Sequence, residues 1–172
     1  MFGEENVVCV SYEETVRLGV RPVDRRVLAY VGLPRRVKPF YTTDIEGAPE
    51  MYSVKAFSFS GGDKKALCIG GPEEGGEMRF FLDMEEGSVV LVDFHGGETR
   101  AEVVNSTLDD FVEFLHRFGL CEKDILGRSP EEIGEYVRGM EEVLKDFDPL
   151  AFSCDDSWWS MAIDHVNQSE GS

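Results

Sequence analysis

No stretch of this sequence approaches the roughly 18 consecutive apolar residues that a membrane-spanning helix requires. The opening Met1-Phe2-Gly3-Glu4-Glu5 also lacks the basic start and apolar run of a secretory signal, so the cytoplasm is the expected compartment. Histidine is scarce. His95, His116 and His165 are the only three, and none stands in an H-x-x-x-H or H-E-x-x-H spacing that would set two imidazoles on one metal. The four cysteines, Cys9, Cys68, Cys121 and Cys154, form no C-x-x-C pair; neither a zinc site nor a redox motif is indicated, and buried free thiols are expected. No G-x-S-x-G elbow occurs, and nothing in the pattern calls for a cofactor. Basic residues are the remaining shortage.

Against 17 lysines and arginines stand 34 aspartates and glutamates, a formal net charge of -17. Such a surface repels phosphates, which disfavours nonspecific nucleic-acid binding and favours a basic partner. The imbalance is uneven: residues 1–50 carry 8 acids and 7 bases, 51–100 carry 9 and 5, and 101–172 carry 17 and 5. Acidity alone is also how many proteins stay soluble.

Glycine is plentiful, and the stretch Cys68-Ile69-Gly70-Gly71-Pro72-Glu73-Glu74-Gly75-Gly76-Glu77 holds four in ten residues. A phosphate-binding loop sets its glycines at a helix N-terminus, usually with a lysine or a following hydroxyl. Here they flank two glutamates and lead into a strand, so the reading is a hairpin turn.

The element pattern surrounds that turn. Ser11-Tyr12-Glu13-Glu14 has the capping-box form and starts a short helix to about Leu18. Pro22 starts a second helix carrying Val27, Leu28 and Val31, and Gly32 and Pro34 stop it. Residues 35–52 read as loop with a short edge strand at most. From Val54 the period changes to two. Strands are predicted at Lys55–Ser60, Lys65–Ile69, Met78–Asp83, Ser88–Phe94 and Arg100–Val104, separated by turns at Gly61-Gly62-Asp63, the glycine stretch, Glu85-Glu86-Gly87 and His95-Gly96-Gly97-Glu98. Connections this short leave no room for crossovers, so the sheet is antiparallel. Beyond Asn105, Leu108, Phe111, Val112, Leu115 and Phe118 recur at helical spacing up to Gly119, with Asp110, Glu113 and Arg117 facing outward. Ser129-Pro130-Glu131-Glu132 caps a further helix that ends at Asp148-Pro149, and Trp159, Ala162, Ile163 and Val166 share the face of a last one. The expected fold is α+β in one domain over residues 1–172: helices at the N-terminus, a mainly antiparallel meander of about five strands, and a C-terminal helical segment packed on it.

Catalytic constellations are weak. Asp83 and Asp93 end neighbouring strands, where they form turns or, alternatively, a carboxylate pair for acid–base work or a cation. Cys9 or Cys121 as a nucleophile needs a base that the sequence does not locate. Trp158 and Trp159 serve either as core or as an interface anchor.

Val31-Gly32-Leu33-Pro34, the meander through Leu67-Cys68-Ile69-Gly70, and the run from Val103-Val104-Asn105-Ser106-Thr107-Leu108 through Leu115 together resemble the SUKH superfamily of immunity proteins over most of the chain. Asp148-Pro149 with Trp158-Trp159 resembles the C-terminal element of its bacterial, polymorphic-toxin branch. The resemblance implies a noncatalytic α+β protein that binds and blocks a cognate toxin, commonly a nuclease or nucleic-acid deaminase. Such toxins need basic surfaces to hold phosphates, which fits an acidic inhibitor. On charge and predicted exposure, the expected contacts are Glu73, Glu74, Glu85 and Glu86 in the turns and Asp110 and Glu113 on the helix. A regulatory protein-interaction adaptor, or a small-ligand-binding protein, remains the alternative.

Overall fold

The computed structural model describes residues 3–59, 62–97 and 99–169. Met1 and Phe2 of the opening segment, Ser60 of the first predicted strand, Gly61 of the first predicted turn, Glu98 of the last, and residues 170–172 of the predicted domain lie outside the described residues.

The N-terminal part is a small helical layer. Strand β1 (Val7–Val8) pairs antiparallel with β2 (Leu33–Pro34), bringing together the two ends of the helical segment. Helix α1 (Tyr12–Arg17) begins where predicted, the Ser11 hydroxyl accepting from the Glu14 amide at 3.2 Å. The Glu14 carboxylate does not complete the box; it pairs with Arg17 instead. Helix α2 (Pro22–Arg26) has proline at its first position and runs directly into a π-helical turn, Val27–Val31. Residues 35–52, expected as loop, contain a small hairpin of β3 (Arg36–Val37) and β4 (Tyr41–Thr42). Its support is remote in sequence: Thr42 and Gly71 exchange backbone hydrogen bonds of 2.8 and 3.0 Å.

The meander forms as expected. Strands β5 (Val54–Phe59), β6 (Gly62–Gly70), β7 (Met78–Asp83), β8 (Val89–Asp93) and β9 (Arg100–Asn105) lie in sequence order, every neighbouring pair antiparallel. Helices α3 (Leu108–Asp124), α4 (Pro130–Phe147) and α5 (Trp158–Ser169) follow, with a 3-10 turn at Pro149–Phe152 between the last two. Helix α3 runs through Gly119 rather than stopping there, because Cys121 carries the buried stripe one turn further. For α4 the Ser129–Glu132 capping box is complete in both directions.

Alternation along β7 puts Phe80 and Leu82 on the helix-covered face and Phe81 on the other, so this central strand is buried from both sides. On the covered face Phe111 meets Phe80 at 5.1 Å between centroids and Tyr41 at 5.7 Å. Trp159, with no exposed surface, stacks on Phe118 at 5.0 Å and stands edge-on to Phe114 at 5.2 Å. Trp159 is therefore core rather than an interface anchor, and half-buried Trp158 packs edge-on against Phe80. Burying each of these large side chains contributes about 2–3 kcal/mol. The second face holds a smaller cluster of Ala66, Cys68, Phe81 and Val92. Residues 45–49 pass over one end of it, held by the Arg79 guanidinium, which donates to the Glu46 carbonyl at 2.6 Å and the Gly76 carbonyl at 2.7 Å.

Candidate functional site

The glycine stretch does not cradle an anion. Its amides are consumed internally: Gly71 donates to Thr42, Glu73 to Pro39 and Gly75 to Pro72. Gly70 has φ +133°, and a Cβ there would lie 2.7 Å from both the Thr42 carbonyl and the Tyr41 ring. The stretch is the β6–β7 connection and the seat of the small hairpin.

Asp83 and Asp93 form no pair, because antiparallel strands place them at opposite ends of the β7–β8 hairpin, Asp93 facing Met78. Each closes a turn: Asp83 accepts from the amides of Glu85 and Glu86 at 2.8 and 2.9 Å, and Asp93 from that of His95 at 2.9 Å. Burial works to raise the Asp83 carboxyl, but those two amides and Lys64 outweigh it and hold it below its ordinary value. Of the cysteines expected to be buried, Cys68 and Cys121 are, whereas Cys9 and Cys154 are exposed on loops. Burial pushes the Cys121 thiol up to about 11, which is unfit for a nucleophile at neutral pH. Among the described residues no group of three or more histidines, cysteines and carboxylates is placed to hold a metal.

The six carboxylates singled out by charge separate in space. Glu73 and Glu74 lie in the β6–β7 connection, where Glu73 is 3.2 Å from Arg36. Glu113 is half-buried on α3 and bonded to Arg117 at 2.7 Å, and that guanidinium lies over the Phe147 ring of α4. Glu85 and Glu86 occupy the β7–β8 turn, at the other end of β7 from Glu73 and Glu74. Glu86 and Asp110, 24 positions apart, line one open groove of about 940 Å³.

That groove has two unlike walls. One comes from α2 and the π turn and presents Val23, Tyr30 and Val31, which are 62%, 72% and 55% exposed. The π turn adds a residue to its ring of backbone and so re-aims the side chains that follow. Tyr30 is steadied by the Tyr12 ring, 6.2 Å away and nearly parallel. The facing wall is the β7–β8 turn and the start of α3, with Glu86, Thr107, Asp109 and Asp110. Thr107 caps α3, accepting from the Asp110 amide at 3.1 Å and donating to the Asp110 carboxylate at 2.6 Å. Burial raises the Asp110 carboxyl above its ordinary value, Asp148 and Asp109 add to the rise, and the Thr107 hydroxyl opposes it.

Arg21 joins the walls. Its guanidinium grips buried Asp24 at 2.7 and 3.2 Å and donates to the Glu86 carbonyl at 2.6 Å. Lys64 braces the turn from the sheet side, 2.7 Å from the Glu86 carboxylate and 3.3 Å from that of Asp83. Neither Asp109 nor Asp110 has an ion pair among the described residues. Sequence reasoning singled out Glu86 and Asp110 by their charge; it read Val27, Leu28 and Val31 as helix stripe and did not consider Val23 or Tyr30, so the apolar wall was missed. The arrangement offers hydrophobic contact and negative charge side by side, the makings of a protein-binding surface.

A family model described as SUKH-4 immunity protein matches residues 1–165. Neither a curated protein nor a solved structure matches the chain.

Proposed function

Because the chain belongs to the SUKH-4 immunity protein family, we propose that it acts in the cytoplasm by binding a cognate polymorphic toxin and covering that toxin's basic active-site surface. The toxin class that fits is a nuclease or a nucleic-acid deaminase, since enzymes that hold phosphates carry clustered lysine and arginine. The observation that carries the reading is the family match along residues 1–165 in a chain of net charge -17. An inhibitor of this kind performs no chemistry; it competes for a surface. Glu73, Glu74, Glu85, Glu86, Asp110 and Glu113 are the proposed contacts. Glu86 and Asp110 carry the most weight, because an apolar wall stands beside them; Glu73, Glu113 and Glu86 each have a basic partner, and Asp110 has none among the described residues.

The test is to purify the tagged chain from its native cells, identify the basic protein that accompanies it, and co-express the two in a host which that protein kills. Growth is expected to be restored, and affinity for the purified toxin is expected to fall as salt is raised. Failure to protect against any accompanying toxin rejects the immunity reading; salt-independent affinity rejects its electrostatic part.

A further inference from the structure

The valine–tyrosine wall is the feature that charge does not explain. Val23, Val27, Tyr30 and Val31 recur at helical spacing, yet only Val27 of the four is buried. Three large apolar side chains stand in solvent along one side of a short helix, and a ring contact keeps the largest of them in place. The lining carries four carboxylates against two guanidiniums; Arg21 and Asp24 pair with each other and Lys64 meets Glu86 from the sheet side, which leaves Asp109 and Asp110 against Arg26. The groove therefore joins an apolar strip to an excess of negative charge.

We propose that this groove seats a basic, apolar-flanked segment of the toxin, with an arginine or lysine head between Glu86 and Asp109–Asp110 and an adjoining apolar side chain against Tyr30 and Val31. The assignment rests on the immunity reading for the identity of the partner, but its chemistry is independent of it. An arginine or lysine suits such a site because its aliphatic stem lies on an apolar wall while its head reaches the facing carboxylates. A cation placed there also relieves the mutual repulsion of Asp109 and Asp110, which now stand beside each other with Asp148 close by. Nucleic acid and anionic lipid are excluded as occupants by the same charge. A second copy of this chain is a poor occupant, because its net charge of -17 has the same sign as the groove. The volume of about 940 Å³ accommodates several side chains rather than one.

The experiment uses the full chain, isotopically labelled, and titrates it by NMR with three capped dipeptides: N-acetyl-Leu-Arg-amide, N-acetyl-Leu-Glu-amide and N-acetyl-Gly-Arg-amide. The expected result is saturable shifts at the amides of Tyr30, Val31, Gly87 and Asp109–Phe111 with leucyl-arginine, weaker binding of glycyl-arginine, and none of leucyl-glutamate. Tyr30→Ser, and separately Glu86→Gln with Asp109→Asn, are each expected to weaken leucyl-arginine about tenfold. All three residues are exposed, so the variants keep the spectrum of the folded chain elsewhere. Shifts as strong at the exposed first-turn glutamates of α4, Glu131 and Glu132, affinities indifferent to the substitutions, or no saturation up to the solubility of the probe would each overturn the assignment. The two readings fail separately. Full protection against the toxin by these variants removes the groove and leaves immunity standing, while groove-specific peptide binding without protection does the reverse.

Discussion

Asp148, the residue that ends α4, holds the side chain of Asn105, the residue that ends β9: the Asn105 amide donates to Asp148 Oδ2 at 3.1 Å. The same carboxylate accepts from the Ser106 amide at 2.7 Å and the Ser106 hydroxyl at 2.8 Å, and Asn105 Oδ1 accepts from Trp159 Nε1 at 2.8 Å. One buried chain of hydrogen bonds thus joins the last strand, the entry to α3, the exit of α4 and the core tryptophan of α5. Asp148→Ala leaves the Asn105 and Ser106 donors without their acceptor inside the protein, and the expected cost is about 3 kcal/mol in urea unfolding. An unchanged urea midpoint would mean that the network contributes nothing.

Arg21 and Gly87 occupy space that a Cβ would take. Gly87 has φ +85°, and a methyl group there would overlap the Arg21 guanidinium. Gly87→Ala is expected to cost about 2 kcal/mol, part from the left-handed backbone and part from displacing Arg21. In an Arg21→Ala background the same change should be milder by about 1 kcal/mol, the coupling that a double-mutant cycle reads. Simple additivity would show that the clash is relieved without loss.

The Asp83 carboxyl is held below its ordinary value of 3.8, so its contribution to stability is present above that value and is lost as pH falls through the lower folded one. Asp83→Asn should therefore cost about 2 kcal/mol at pH 7 and progressively less in acid below pH 3.8. Parallel stability curves for the two proteins across that range would contradict the assignment of the turn's amides and Lys64 to Asp83.

Thiol accessibility should divide two and two. In the native chain Cys9 and Cys154 are expected to react with Ellman's reagent, while Cys68 and Cys121 react only on unfolding. Burial raises both inner thiols, so their lag persists at mildly alkaline pH. Rapid reaction of all four would refute the packing around α3 and β6.

Among the proposed toxin contacts, reversing Glu86 and Asp110 to lysine is expected to weaken association at least tenfold more than reversing Glu73 and Glu74. Glu73 and Glu86 each have a basic partner, Arg36 at 3.2 Å and Lys64 at 2.7 Å, but only Glu86 and Asp110 share a groove with an exposed apolar wall. Equal losses from the two pairs in a binding titration would place the contact outside the groove.

Where local chemistry decides structure, the sequence could be read directly. The meander, the caps at Ser11 and Ser129, and the apolar stripes of α3 and α5 depend on neighbours within four residues or on strict alternation. The small hairpin of β3 and β4 was illegible because its support comes from Gly70 and Gly71, some thirty residues on. Helix α3 passed Gly119 because packing of Cys121 outweighs roughly 1 kcal/mol of glycine propensity. Two cysteines expected inside stand outside, since burial of a small residue on a loop is settled by what packs over it.

Composition and periodicity by themselves determined that this protein is an acidic α+β chain with an antiparallel meander, because charge count and local period are properties of the linear chain. They also marked Glu86 and Asp110 as candidates. Only the tertiary structure decided that these two share a groove, that Arg21 closes its floor and that an exposed tyrosine stands opposite. Such a surface arises when distant segments pack, and no local pattern records which solvated residues that packing will bring face to face.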